Sequence, residues 1–360
     1  MIFVGDIAVP SEQYSEVLDM ILEREAGVFK EKDLIINLEG LIRDGVDPSD
    51  NTPKLYNHRS AVGMLKNRGV KFAGLANNHT LDFPCQLERT TELLRENGIG
   101  YAGAGFSKAE ADTPAEVVLD GKKAFIFNHC WSVMLQHQKN PSEGVFVSTI
   151  DEENVIRQVR KTRVENPEAS IIVYFHWNFD LETLPFPLHR KLARALIDSG
   201  ANIVAGCHSH CVQGGEAYGN GYIVYGLGNF FIPWKTFING TIHFPDFARV
   251  EMAFEWNPQT NNAYCHFFRY ENSNDKHDLV HLSSDPFEDS DMLKSYTPYM
   301  GMDEREYLSY FRENRRKRGG LPVYKTYETP GVNRAIDWIV KNRIRVARLL
   351  AKYRLREWNN

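Results

Sequence analysis

Cysteine is sparse in this 360-residue chain, and the five present, Cys85, Cys130, Cys207, Cys211 and Cys265, are odd in number and scattered. That excludes the paired framework of a small disulfide-stapled scaffold and reads as reduced thiols. Long apolar runs are missing too: none approaches the ~18 residues of a membrane-spanning helix. No basic stretch followed by an apolar one stands ahead of Met1 Ile2 Phe3 Val4, which already reads as a strand, so a cytoplasmic location is expected. Internal repeats and low-complexity tracts are absent. A strong excess of one charge is absent as well: the net charge is -5 and the pI about 6.2, which gives no overall pull toward nucleic acid.

What is present suits a large buried core, with 42% hydrophobic and 25% charged residues. One large domain over 1–272 is expected, then a linker with irregular or helical segments over 273–330, then a basic amphipathic helix over 331–360. The last thirty residues hold eight Lys or Arg against two Asp or Glu, a net +6 in an otherwise acidic chain.

Short apolar runs at Met1–Val4, Leu34–Leu38, Val70–Leu75, Ala124–Phe127, Ile171–Phe175, Ile203–Ala205 and Tyr222–Tyr225 read as strands. They alternate with helix-like stretches near Glu12–Arg24, Ser60–Asn67, Cys85–Asn97, Glu153–Arg163 and His189–Ser199. Such alternation argues for an α/β architecture whose ligands gather at the carboxyl ends of strands. Two β-like segments, Val250–Trp256 and Ala263–Tyr270, complete a sheet. Ser283–Asp291 reads as an acidic loop and Arg315–Gly320 as a solvated linker. Beyond Pro330 the stripe Ile336, Val340, Ile344, Ala347, Ala351, Leu355 and Trp358 predicts a long helix.

Five strand exits carry polar clusters: Gly5 Asp6; Asn37 Leu38 Glu39; Ala76 Asn77 Asn78 His79; His176 Trp177; and Gly206 Cys207 His208 Ser209 His210. Two imidazoles spaced i, i+2 on the turn leaving a buried strand can point into one cavity and suit borderline metal cations. Hydrolysis of a phosphoester needs an activated water and neutralisation of the leaving group's charge, which two nearby cations provide. Asp6 and Glu39 are the candidate carboxylate ligands, Asn78 the amide oxygen, and His176, His208 and His210 the imidazoles, around one or two divalent ions from among Mn, Fe, Zn and Mg. His79 remains to protonate the leaving group. Asp82, three residues on, is expected to orient it.

With Gln213 and Tyr225 Gly226 Leu227 Gly228 Asn229 Phe230 added, this ordered set resembles the capsule synthesis proteins of the poly-gamma-glutamate type, the CapA or PGA_cap family, related to the calcineurin-like metallophosphoesterases. The resemblance covers about residues 1–256. It implies a four-layer α/β/β/α sandwich with a dinuclear-type site, Asn78 as the metal-ligand amide, His79 as general acid, and His208 and His210 as the closing pair. This chain departs from the pattern at three places. Ala8 stands where related enzymes carry a histidine two residues after the first aspartate, which leaves one metal site a ligand short. Asn178 replaces a glycine, and Cys207 replaces a histidine.

Asn77, Trp177, Asn178, Asn229 and His129 are expected around the substrate, an anionic small molecule or polymer. His189, His58, His137 and His243 read mostly as surface residues, and Cys207 and Cys211 as small buried apolar groups. The functional expectation is a metal-dependent hydrolase in surface-polymer synthesis. The alternatives are a non-catalytic polymer-binding accessory protein and a γ-glutamyl amide hydrolase. The basic tail admits docking on the protein's own surface, peripheral contact with an anionic membrane, or self-association.

Overall fold

In a computed structural model the described residues are 1–44, 54–135, 144–234, 237, 242–273, 276–316, 323–327 and 334–353. Two sheets carry the fold. The larger orders its strands Lys276–Pro286, Ala263–Ser273, Val250–Trp256, Ile2–Ile7, Leu34–Leu38, Val70–Gly74 and Gly100–Ala102. From Ile2–Ile7 to Gly100–Ala102 the pairing is parallel, and the other three strands pair antiparallel. The smaller orders Gly215–Tyr218, Gly221–Val224, Ile203–Cys207, Ser170–His176, Lys122–Cys130 and Ala115–Leu119, with the middle four parallel.

The apolar character of the central strands follows from what covers them. Ser170–His176 is buried along its whole length, and its side chains alternate. Ile172 and Tyr174 face the other sheet, meeting Phe3, Ile35, Phe72 and Phe254. Ile171, Val173 and Phe175 face outward against Val155, Val159, Leu192 and Leu196 of the helices Glu152–Glu165 and Pro187–Asp198. On the far side of the seven-stranded sheet, Leu18, Ile21 and Leu22 of helix Glu12–Arg24 pack on Val4 and Ile36. Ser11 starts that helix by accepting the Tyr14 N–H. Helix, sheet, sheet and helix thus make the four layers that the resemblance implies.

Most elements lie where the apolar runs predict them, and Leu34–Leu38, Glu12–Arg24 and Ser60–Asn67 agree to the residue. The region after residue 272 differs. Ser283–Pro286, read as loop, belongs to the edge strand Lys276–Pro286, which pairs with Ala263–Ser273. Its outward side chains are exposed, so it carries no apolar signature in the sequence. Helices Asp291–Tyr296 and Glu304–Asn314 follow, the second closed by an Asp303–Glu306 capping box. Tyr299, Tyr307 and Phe311 bury against helix Pro187–Asp198. Arg315, expected in solvent, is buried over the Phe311 ring at 5.4 Å.

Helix Arg334–Lys352 forms as expected, and Val340 of the apolar stripe is buried beside Tyr324 and Tyr327. Leu355, Trp358 and His137 lie outside the described residues. His189 is a correction: it is fully buried, boxed by Trp131, Trp177, Phe186 and Tyr327 at ring distances of 4.7–5.7 Å. Its position in the helix turn facing the sheet decides this, and burial holds its pKa well below 6.5. Among the described residues no helix is long and apolar enough to cross a membrane.

Candidate metal centre

The five strand exits meet at the carboxyl edges of the two stacked sheets. Gly5 makes the approach possible, since a Cβ there would sit 2.0 Å from the Gly228 carbonyl oxygen. Through that contact the Asp6 N–H donates to Gly228 at 3.2 Å and Phe231 bridges to Ile7, which puts Asn229 and His210 beside Asp6.

Asp6 is fully buried and links the two sheets. Its Oδ1 accepts from the Asn37 amide at 2.6 Å and its Oδ2 from the His208 backbone N–H at 3.1 Å. His176 Nδ1 lies 3.8 Å from Oδ1 and His210 Nδ1 3.5 Å from Oδ2. His176 Nε2 reaches the other way, to Asn78 Oδ1 at 2.7 Å and Glu39 Oε1 at 3.9 Å. The His208 ring is tilted against both neighbours, its centroid 4.5 Å from that of His176 and 5.8 Å from that of His210. His208 and His210 both hold φ in the left-handed region, +86° and +54°. That conformation is costly for residues with a Cβ and turns both rings to one side.

Glu39 is the centre of the arrangement. It is fully buried, and neither carboxylate oxygen accepts a hydrogen bond from any of the described residues. Burial, then the charges of Asp6, Asp180 and Asp82, push its pKa well up. Asp6 is also raised, by burial, against the pull of His210 and its hydrogen bonds. Burial and the neighbouring imidazoles hold His176 well below its ordinary value, hence neutral and able to ligate. One donor atom each from Glu39, His208 and His210 lies within 4.8 Å of the others. A buried carboxylate without a donor is costly unless a cation faces it. The set of imidazoles, carboxylates and one amide oxygen therefore fits a borderline divalent metal.

Beside this cluster His79 Nδ1 lies 2.5 Å from Asp82 Oδ2, and its Nε2 lies 3.8 Å from Glu39 Oε1. Asp82 Oδ2 also accepts the Leu55 N–H at 2.9 Å. Asp82 thus lies between the His79 ring and the Leu55 backbone.

The residues expected around substrate separate. Asn229 Oδ1 lies 2.6 Å from His210 Nδ1 and stands at the site. Asn77 is a buried loop brace. Its oxygen accepts from His79 and Gly40 N–H groups, and its amide donates to the Leu38 carbonyl. Trp177 is buried against Phe175 and donates to the Tyr225 carbonyl at 2.9 Å; a Cβ on Gly206 would meet its indole nitrogen at 2.2 Å. Asn178, at φ +76°, occupies a left-handed position that Gly and Asn tolerate, which accounts for the substitution. His129 turns to the opposite face of its strand, toward Phe175 and Ser148 Oγ at 2.7 Å, where burial lowers its pKa to about 4. Its strand neighbour Asn128 turns the other way, where it accepts the Ala76 N–H at 2.7 Å.

Two residues carry no sequence signal for their roles. Asp180 Oδ1 lies 3.3 Å from His208 Nε2 and 3.9 Å from His210 Nε2, adding a carboxylate beside the histidine pair. Its spacing of four from His176 is a signal visible only once both are known to face the site. Glu251, from the strand Val250–Trp256, is buried and accepts the Asn229 N–H, fixing the turn that presents Asn229 to His210. Burial raises its pKa well above the usual range.

The fold is a four-layer α/β/β/α sandwich with an imidazole- and carboxylate-rich donor set at its strand ends. The chain belongs to the family of bacterial capsule synthesis proteins, PGA_cap, whose model matches residues 1–233. It is 26% identical over 249 residues to the PGA biosynthesis protein CapA of Bacillus subtilis (strain 168), covering 63% of this chain and 62% of that one. It is 25% identical over 187 residues to the capsule biosynthesis protein CapA of Bacillus anthracis, covering 51% and 45%. The chain thus spans about half to three fifths of the curated relatives it matches. Among solved structures, the calcineurin-like phosphoesterase YfkN from Bacillus subtilis aligns with 86% of this chain and 98% of its own at 11% identity and a TM-score of 0.43.

Proposed function

We propose that this chain is a metal-dependent hydrolase that opens a phosphoester or related bond in the making or trimming of a cell-surface polymer. The observation that carries the reading is Glu39: a buried carboxylate that accepts no hydrogen bond from any described residue, ringed by His176, His79 and the His208–His210 pair. Asp6, Glu39, Asn78, His176, His208 and His210 would hold one or two divalent cations, Mn, Fe, Zn or Mg, with Asp180 adjoining. A cation bound there supplies Lewis acidity and lowers the pKa of water toward neutrality.

The chain's own groups do the rest. Asp82 at Nδ1 sets the His79 ring so that Nε2 faces Glu39 and the site. A proton held at that nitrogen passes to the departing oxygen. The buried, neutral His176 keeps both ring nitrogens inside the donor set, one toward Asp6 and one toward Asn78.

The second reading, an accessory protein that holds an anionic polymer without cleaving it, is favoured by Ala8, which packs as a fully buried apolar residue. Metal analysis of the purified protein with turnover of an aryl phosphate and of a γ-glutamyl amide separates the two. Bound metal with turnover that collapses in His208→Ala and His79→Ala supports hydrolysis, and the substrate that turns over names the bond. Bound metal with no turnover of either, alongside polymer affinity, supports the accessory role. Turnover unchanged in both variants rejects the site.

A further inference from the structure

The helix Arg334–Lys352 is apolar on two sides. Val340 is buried against the protein, in the same cluster as Leu188 and Tyr324. At 100° per residue, Trp338, Ile339, Val346, Leu349 and Tyr353 fall together within an arc of about 100°, well away from Val340. These five are 40–68% exposed. A stripe of that size held out in water on a helix already anchored by its other side needs a partner.

Charge identifies the partner. The segment 331–360 carries a net +6 within a chain of net -5, and Arg343 and Arg345 of the helix are exposed beside the stripe. In the same helical layer, Leu188 and Tyr324 also line a hollow of about 270 Å³ with Lys191, Arg312 and Lys325 around it. A second copy is disfavoured, because a two-fold contact through this stripe sets one basic helix against another. The composition is that of an interfacial helix: aliphatic residues in line, a Trp near one end and a Tyr at the other, and arginines at the margins whose stems lie along apolar surface while their heads reach phosphate.

We propose that the exposed face of the helix Arg334–Lys352 docks on an anionic lipid surface, with Trp338, Ile339, Val346, Leu349 and Tyr353 at the acyl boundary and the arginines among the head groups. The docking is peripheral and reversible, and it is independent of the metal site.

Co-sedimentation of the full chain tests it, with phosphatidylcholine vesicles in one arm and vesicles containing phosphatidylglycerol in the other, at low and high salt. The protein binds the anionic vesicles and releases in high salt. Its tryptophan emission shifts to the blue on binding, and Trp338→Phe removes most of that shift. The double variants Trp338→Glu with Leu349→Glu, and Arg343→Glu with Arg345→Glu, each weaken binding at least about tenfold while thermal unfolding and metal content stay as in the parent. Absence of binding to anionic vesicles overturns the proposal, and so does binding that both double variants retain. A dimer in sedimentation velocity that the apolar double variant dissolves, with no vesicle binding, assigns the stripe to a second copy instead.

Discussion

The two sheets bring different chemistry to the site. The seven-stranded sheet contributes oxygen: Asp6, Glu39 and Asn78 all leave its parallel strands. The six-stranded sheet contributes nitrogen, His176, His208 and His210, with Asp180 alongside. Neither half holds a complete donor set, and the contacts that join them, Asp6 with the His208 N–H and His176 with Asn78, run from one sheet to the other. The chemistry depends on how the sheets stack, so each half can be perturbed on its own.

Glu39→Gln from the oxygen side and His208→Ala from the nitrogen side should be equally severe, since each removes a donor that the other sheet does not duplicate. Metal retention measured by elemental analysis falls by more than the ~10–100-fold lost with a merely supporting group, and aryl phosphate turnover falls with it. His79→Ala lowers turnover on the order of 10²–10⁴-fold but keeps the metal. A loss of metal equal to that of His208→Ala would make His79 a ligand.

Metal removal distinguishes the halves by pH. Without a cation, the raised pKa values of Glu39 and Asp6 mean that the folded protein holds protons the unfolded chain has released. Their contribution is then full below the ordinary carboxylate range and lost as pH rises above that range through their raised folded-state values. Saturating metal abolishes that loss and adds ~2.7 kcal/mol at a hundredfold excess over Kd. On the imidazole side the sign reverses. His176 and His189 are held below 6.5, so the unfolded state takes protons that the folded state refuses, and stability falls as pH drops below 6.5. Thermal unfolding across pH, with and without a chelator, reads both slopes; His189→Phe flattens the acid limb without affecting metal content. The smallest effect expected is from Glu251→Gln, which weakens the brace on Asn229 and costs about 1–3 kcal/mol of stability with turnover changed less than in His79→Ala.

Much of the fold was legible because apolar runs of three to six residues, closed by Gly, Asn, Asp or His, have few readings other than buried parallel strands. Ile203 to His210 shows it: the run names the strand, and the polar residues at its exit name the site. The edge strand Lys276–Pro286 was not legible, because an edge exposes one face and alternates too weakly to separate from a loop. His189 was misread because its neighbours in the chain do not reveal that the helix turns it toward Trp131 and Trp177. His129 and Trp177 were expected near substrate on proximity alone. Strand alternation puts His129 on the far face, and the Tyr225 carbonyl engages Trp177.

By itself the sequence determined which residue types close which strands, and with them the donor inventory, the α/β class and the basic helix at the end. Only the tertiary structure decided that Glu39 stands at the centre, that Asp180 adjoins the histidine pair, and that Glu251 braces Asn229. The physical reason is one of range. A side chain's type and its strand's period are local properties, whereas the distance between Asp6 and His208, 202 positions apart, is set by the packing of one sheet on another and by the close approach that Gly5 permits.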